Sequence, residues 1–151
     1  MIAVISCGAR KAKTPQPAKD LYIGAYFKKA RGAAEALGCP WVIMSALHGL
    51  VRPDTVLDPY EQQIGGVNIT RLRSVVRRQV DAGMLGRDLV VVDFTPEAYH
   101  RLIADALGKR AAGRIVRPLH HLGQGQAMHV MGLIAEREEI VMGSSVYQVA
   151  R

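Results

Sequence analysis

Short, wholly apolar runs alternate with longer stretches whose apolar residues return at helical spacing, and this constrains the fold more than any other feature of the chain. Residues 2–5, 41–44 and 89–92 are too short for helices and show no polar alternation, the pattern of strands covered on both faces. Residues 114–119 read as a fourth strand. From Ile23 onward, Tyr26, Phe27, Ala30, Ala34 and Leu37 share a helical face, and Gly38 stops it. Asn68 can cap a helix striped by Ile69, Leu72, Val75, Val76 and Val80. Thr95 as cap and Pro96 as first helical residue open another through Tyr99, Leu102, Ile103, Ala106 and Leu107 to Gly108. Gly123-Gln124-Gly125 starts a last helix to about Glu139, and residues 146–149 are expected as a short terminal strand.

Parallel strands need crossover connections, so this order predicts an α/β fold: an open, mostly parallel, Rossmann-like sheet with helices on both faces. A chain of 151 residues without internal repeats suits a single domain over its whole length. Residues 52–66, with Pro53, Asp54, Asp58, Pro59, Tyr60, Glu61 and the Gly65-Gly66 pair, read as a long ordered loop. No apolar stretch approaches a membrane span, and the N-terminus reads as a strand rather than a signal peptide. Cys7 and Cys39 make neither a disulfide framework nor a Cys-x-x-Cys site. A cytoplasmic protein, alone or as a small oligomer, is the expectation. Twenty Lys plus Arg against 13 Asp plus Glu, a formal charge of +7, favour a polyanionic partner, with nucleic acid first among them.

In such a sheet the turns after successive strands converge on one rim, where α/β proteins place their chemistry. Those turns hold Ser6, Cys7, Arg10 and Lys11, then Ser45 and His48, then Asp93 and Thr95, then His120, His121 and the glycine loop. Ser6-Cys7-Gly8 can present Cys7 as a nucleophile, form an anion-binding turn, or be a plain small-residue turn in which Cys7 packs as an apolar group, with Lys11 suited to a phosphate. The segment is too short for a Walker loop. In Ser45-Ala46-Leu47-His48-Gly49, His48 can serve as acid, base or donor, and Gly49 lets the chain turn around a bound ring. A structural His48 tied to residues 53–60 is the competing reading. Breaking an N-glycosidic bond needs a carboxylate and a donor to the departing base; the loop residues Asp54, Asp58 and Glu61 can supply the carboxylate, and so can Asp93, although Asp93 can simply cap the following helix. His120, His121 and His129 have no carboxylate or cysteine at ligand spacing, so no metal is expected. Gly123-Gln124-Gly125-Gln126 can hold a phosphate, present an amide to a base, or merely enter a helix. Arg10 and the group Arg71, Arg73, Arg77 and Arg78 can contact phosphates or be solvated.

Several short motifs in fixed order carry a resemblance: Ser6-Cys7 with Lys11, Pro17-Ala18-Lys19-Asp20-Leu21-Tyr22, Tyr26-Phe27, Ser45 to Val51, Pro53-Asp54 and Pro59-Tyr60. Together they resemble the small bacterial and phage YaaA-like proteins of the peroxide-stress superfamily, a group often likened to queuine tRNA-ribosyltransferases and DNA glycosylases. The resemblance implies an α/β domain handling a nucleobase or nucleic acid, with its site near Ser6, Cys7, Lys11, Asp20, Tyr22, Ser45, His48, Asp54 and Tyr60. The resulting expectation is a cofactor-free N-glycosidase or base-exchanging enzyme acting on DNA, RNA or a nucleotide, DNA ahead of tRNA. Its carboxylate would be Asp20, Asp54 or Asp93, with His48 beside it and Tyr22 or Tyr60 stacking on the base. A non-enzymatic DNA-binding stress protein and a nucleotide-binding sensor are the alternatives.

Overall fold

A computed structural model describes residues 1–136 of the chain. Its centre is a five-stranded sheet built from β1 (Ile2–Ser6), β3 (Trp41–Ser45), β4 (Gly49–Val51), β6 (Val91–Asp93) and β7 (Ile115–Val116), in the order β4-β3-β1-β6-β7. β1 pairs in parallel with β3 and β6, and β6 with β7; only the edge strand β4 runs antiparallel. All five residues of β1 are buried, as an apolar run at the middle of a doubly covered sheet demands.

Helix α3 (Ile69–Asp81) and helix α4 (Glu97–Leu107) cover one face, where Leu72, Val76, Tyr99 and Ile103 pack on Val4, Met44 and Val91. Helices α1 (Ala18–Leu21), α2 (Ala25–Ala36) and α5 (Gln124–Glu136) cover the other, with Phe27, Ala30, Ala34, Met131 and Ile134 against Ala3, Ile5 and Val92. Small residues let α5 lie close on α2: a Cβ added to Gly32 would stand 3.2 Å from that of Ala135. The α/β class, the dominant parallel pairing and the two helical layers match the sequence expectation. Among the described residues no helix is long and apolar enough to cross a membrane.

The departures are local. The third expected strand begins at Val91, and the fourth is confined to Ile115–Val116. The loop over 52–66 contains β5 (Val56–Leu57), paired antiparallel with β2 (Gln16–Pro17), and a 3-10 turn at Ile64–Gly66. Asn68 caps α3 as expected, its side chain accepting from the Arg71 amide. Thr95 does not cap α4. Pro96 occupies that position, its carbonyl accepting the His100 amide, because the Thr95 hydroxyl is drawn back to Asp93. The last helix is described to Glu136, and the strand expected at 146–149 lies outside the described residues.

Gly49 closes the β3–β4 hairpin at φ +70°, and a Cβ there would stand 2.5 Å from Gln79 Oε1. That oxygen accepts the Leu50 amide, while Gln79 Nε2 donates to the carbonyls of His48 and Leu50. The glycine therefore lets α3 approach the hairpin; it faces a helix rather than a ligand. Gly49→Ala should cost about 2–4 kcal/mol, from the left-handed backbone and the displaced glutamine together, read as a lower denaturant midpoint at constant slope.

Candidate active site

The chain visits β3 and β4 on one side of β1 and then crosses to β6 and β7 on the other, so the order reverses between β1 and β6. Ligands of open α/β sheets bind in the crevice at the carboxyl ends of such a pair. A cavity of about 910 Å³ opens there. Ser6, Cys7 and Gly8 line it from β1, and Phe94 and Thr95 from β6. Glu97 and Tyr99 of α4, Arg117, Leu119, His120 and His121 beyond β7, and Gln124 and Ala127 of α5 complete the wall, with Tyr26 and Gln62 to Ile64 across the mouth.

The first group at the rim is a chain of hydroxyls. Ser45 Oγ accepts the amides of Leu47 and His48, so it has only its own hydrogen to offer Tyr60, whose oxygen lies 2.7 Å away. Tyr60 in turn donates to Tyr22 at 2.5 Å, which leaves the Tyr22 O–H as the free end of the relay. Burial pushes the Tyr22 phenol up to about 12 and raises Tyr60 further, so both stay protonated at physiological pH. Lys11 Nζ lies 4.3 Å from the Tyr60 ring centroid, a cation–π contact. His48 stacks edge-on against the same ring; burial, then the Arg71 charge, lowers its pKa and keeps it neutral. Cys7, at the end of β1, joins this cluster to the cavity, its thiol 3.4 Å from the Tyr99 hydroxyl. Tyr99 is raised chiefly by burial.

The second group surrounds Asp93, 1% exposed at the end of β6. Its Oδ1 accepts from the Thr95 amide at 2.8 Å and the Thr95 hydroxyl at 2.6 Å, and its Oδ2 lies 2.8 Å from His100 Nδ1. Both oxygens are thus engaged by the turn and by α4, which makes Asp93 a holder of the β6–α4 turn.

One turn further on, Glu97 faces the cavity. Arg117 Nη1 donates to its Oε2 at 2.8 Å and Arg101 Nε to its Oε1 at 3.3 Å. Arg117 first, then Arg101, hold this carboxyl below its ordinary value. It is ionised at physiological pH.

Of the residues singled out by sequence, Ser6 and Cys7 line the cavity, while Lys11, Tyr22, Ser45, His48 and Tyr60 form the cluster behind them. Tyr22, 2% exposed, has no face free to stack on a base; Tyr26, on the cavity wall, has. Asp20 and Asp54 do not reach the cavity. They lie at the surface, paired with Arg31 at 3.0 Å and Lys19 at 2.7 Å. Arg73 and Arg77 are both turned onto Asp105, Arg71 reaches the Leu47 carbonyl, and Arg10 and Arg78 are exposed. Sequence reasoning missed Glu97, Tyr99, His100 and Arg117 as site residues. Their signal was position alone, at the start of the helix after β6 and just past β7. Among the described residues no three His, Cys, Asp or Glu side chains gather in a way that would hold a metal ion.

A family model matches residues 2–132, a span that includes every residue lining the cavity; its description is that of a family of unknown function. No curated protein and no solved structure matches the chain.

Proposed function

The chain belongs to the DUF6884 family, and from its site we propose an enzyme that acts on a nucleobase-bearing substrate, cleaving or exchanging the N-glycosidic bond. The observation that carries the reading is Glu97, an ionised carboxylate on the wall of a switch-point cavity large enough for a nucleoside. As the bond to the base breaks, positive charge develops on the sugar, and a fixed carboxylate stabilises it. Tyr26 supplies aromatic wall, and the side-chain amides of Gln62, Gln63 and Gln124 supply the paired donors and acceptors that read a base edge. Tyr99, kept protonated by burial, offers its O–H to the nitrogen that leaves. In hydrolysis, water adds its hydroxyl to the sugar carbon and its proton to the released base. In exchange, an incoming base takes the place of water. The resemblance to the YaaA-like proteins points to the same substrate class, with Glu97 in the carboxylate role that the sequence assigns to Asp20, Asp54 or Asp93.

The test is incubation with nucleosides, nucleotides, single- and double-stranded DNA and tRNA, with free base scored by mass spectrometry. Release or exchange of a base is the expected result. Ligand-dependent stabilisation with no base released from any substrate would sink the enzyme reading and favour a nucleotide sensor.

A further inference from the structure

Arg117 stands just beyond the end of β7, its side chain 16% exposed, and only part of its guanidinium is in use. Glu97 Oε2 and His120 Nδ1 both contact Nη1, at 2.8 and 3.1 Å. The buried Nε–H has no partner among the described residues. Nε and Nη2 form the edge of an arginine that receives a phosphate or carboxylate through two parallel hydrogen bonds. A buried donor left unmatched is destabilising, a cost that a bound acceptor removes.

Other donors converge on the same wall. Arginine keeps all its protons, so His120 Nδ1 must be the acceptor in its contact with Arg117, and the ring proton sits on Nε2 as a further donor. Partial desolvation, then the charges of His121 and Arg117, hold His120 below its ordinary value, so it stays in this neutral form. His121 stacks on it with centroids 3.6 Å apart. Gln124 then brings the N-terminus of α5, thirteen residues long, to the cavity with its positive end. Glu97 is the opposing charge; its oxygens meet Nη1 of Arg117 and Nε of Arg101, and neither contact uses the Nε–Nη2 edge of Arg117.

We propose that this corner is a phosphate subsite, so that the substrate is a base whose sugar carries a phosphate rather than a free base or nucleoside. The proposal rests on the reading of the cavity as a nucleobase site, and it specifies the anion that accompanies the base. A free nucleotide offers a phosphate monoester and a nucleic acid a diester; both present the oxygen pair that the Arg117 edge takes.

Calorimetric titration of the whole protein separates the cases, using nucleosides, their 5′-monophosphates, inorganic phosphate and a short oligodeoxynucleotide without terminal phosphates. The expected result is that a phosphorylated ligand binds at least about tenfold more tightly than the matching nucleoside. Preference for the mononucleotide identifies the monoester as the source, and preference for the oligonucleotide the diester. Arg117→Gln should abolish that advantage, so that nucleotide and nucleoside then bind alike. Arg117→Lys keeps the charge beside Glu97 and guards against a folding defect, and it should also lose most of the advantage, because a lysine has no two-donor edge. Equal binding of nucleoside and nucleotide would overturn the subsite and leave the base reading standing. Binding of inorganic phosphate as tight as that of any nucleotide, lost in Arg117→Gln, would support the subsite and overturn the base reading.

Discussion

Glu97→Gln is expected to lower the rate of base release by about 100- to 1,000-fold, with ligand affinity nearly unchanged. The amide keeps the volume and one acceptor oxygen for Arg117 or Arg101, so the helix start is preserved; what disappears is the negative charge facing the sugar. An interaction felt mainly in the transition state falls on kcat and leaves KM nearly unchanged. The pH profile gives a second readout. Arg117 and Arg101 hold this carboxyl below its ordinary value of 4.5, so the active, ionised form persists as pH falls to that value and is lost only below it. An acid limb with its midpoint above that value would assign the essential ionisation to another group. A variant as active as the parent would remove Glu97 from the mechanism.

Asp93→Ala is expected to be the most destabilising single change at the site, by about 3–5 kcal/mol. The substitution strands a buried amide, a buried hydroxyl and the ring nitrogen of His100 at once, since all three end on this carboxylate. Asp93→Asn retains one accepting oxygen but turns an N–H₂ toward the other partners, and should cost about 1–3 kcal/mol. Chemical denaturation at constant slope checks both values. A loss under 1 kcal/mol for the alanine variant would show that water can enter and replace the carboxylate. Because the same turn sets the start of α4, the alanine variant should also weaken ligand binding: Glu97 and Tyr99 reach the cavity from the first turns of that helix.

Much of this architecture is legible in the sequence, and the part that is not has a common cause. The runs at 2–5 and 41–44 can only be buried strands, and Asn68 announces α3 through a local side-chain bond. The rim order, with Cys7, Thr95, His120, His121 and the glycine loop brought together, also follows from the topology. β4 is hidden because it has only three residues, and its middle one, Leu50, is held by Gln79, from a helix far along the chain. Asp20 and Asp54 are indistinguishable by type from a catalytic carboxylate, and only the positions of Arg31 and Lys19 show that they face outward. Glu97 carries the reverse lesson. In sequence it is an ordinary acidic residue favouring a helix start, and its exposure to the cavity depends on how Arg117 returns from β7.

The close seating of α5 on α2 bears on how the protein comes to be made. During synthesis the N-terminal elements emerge first, and β1, α2 and β3 can begin to pair before α5 exists. The wall that α5 contributes must wait until that helix has left the ribosome and docked at Gly32. The nascent chain would thus acquire its sheet before its binding site. Contacts so distant in sequence slow the final step, leaving an interval in which Phe27 and Val92 lack their cover and a chaperone has something to hold.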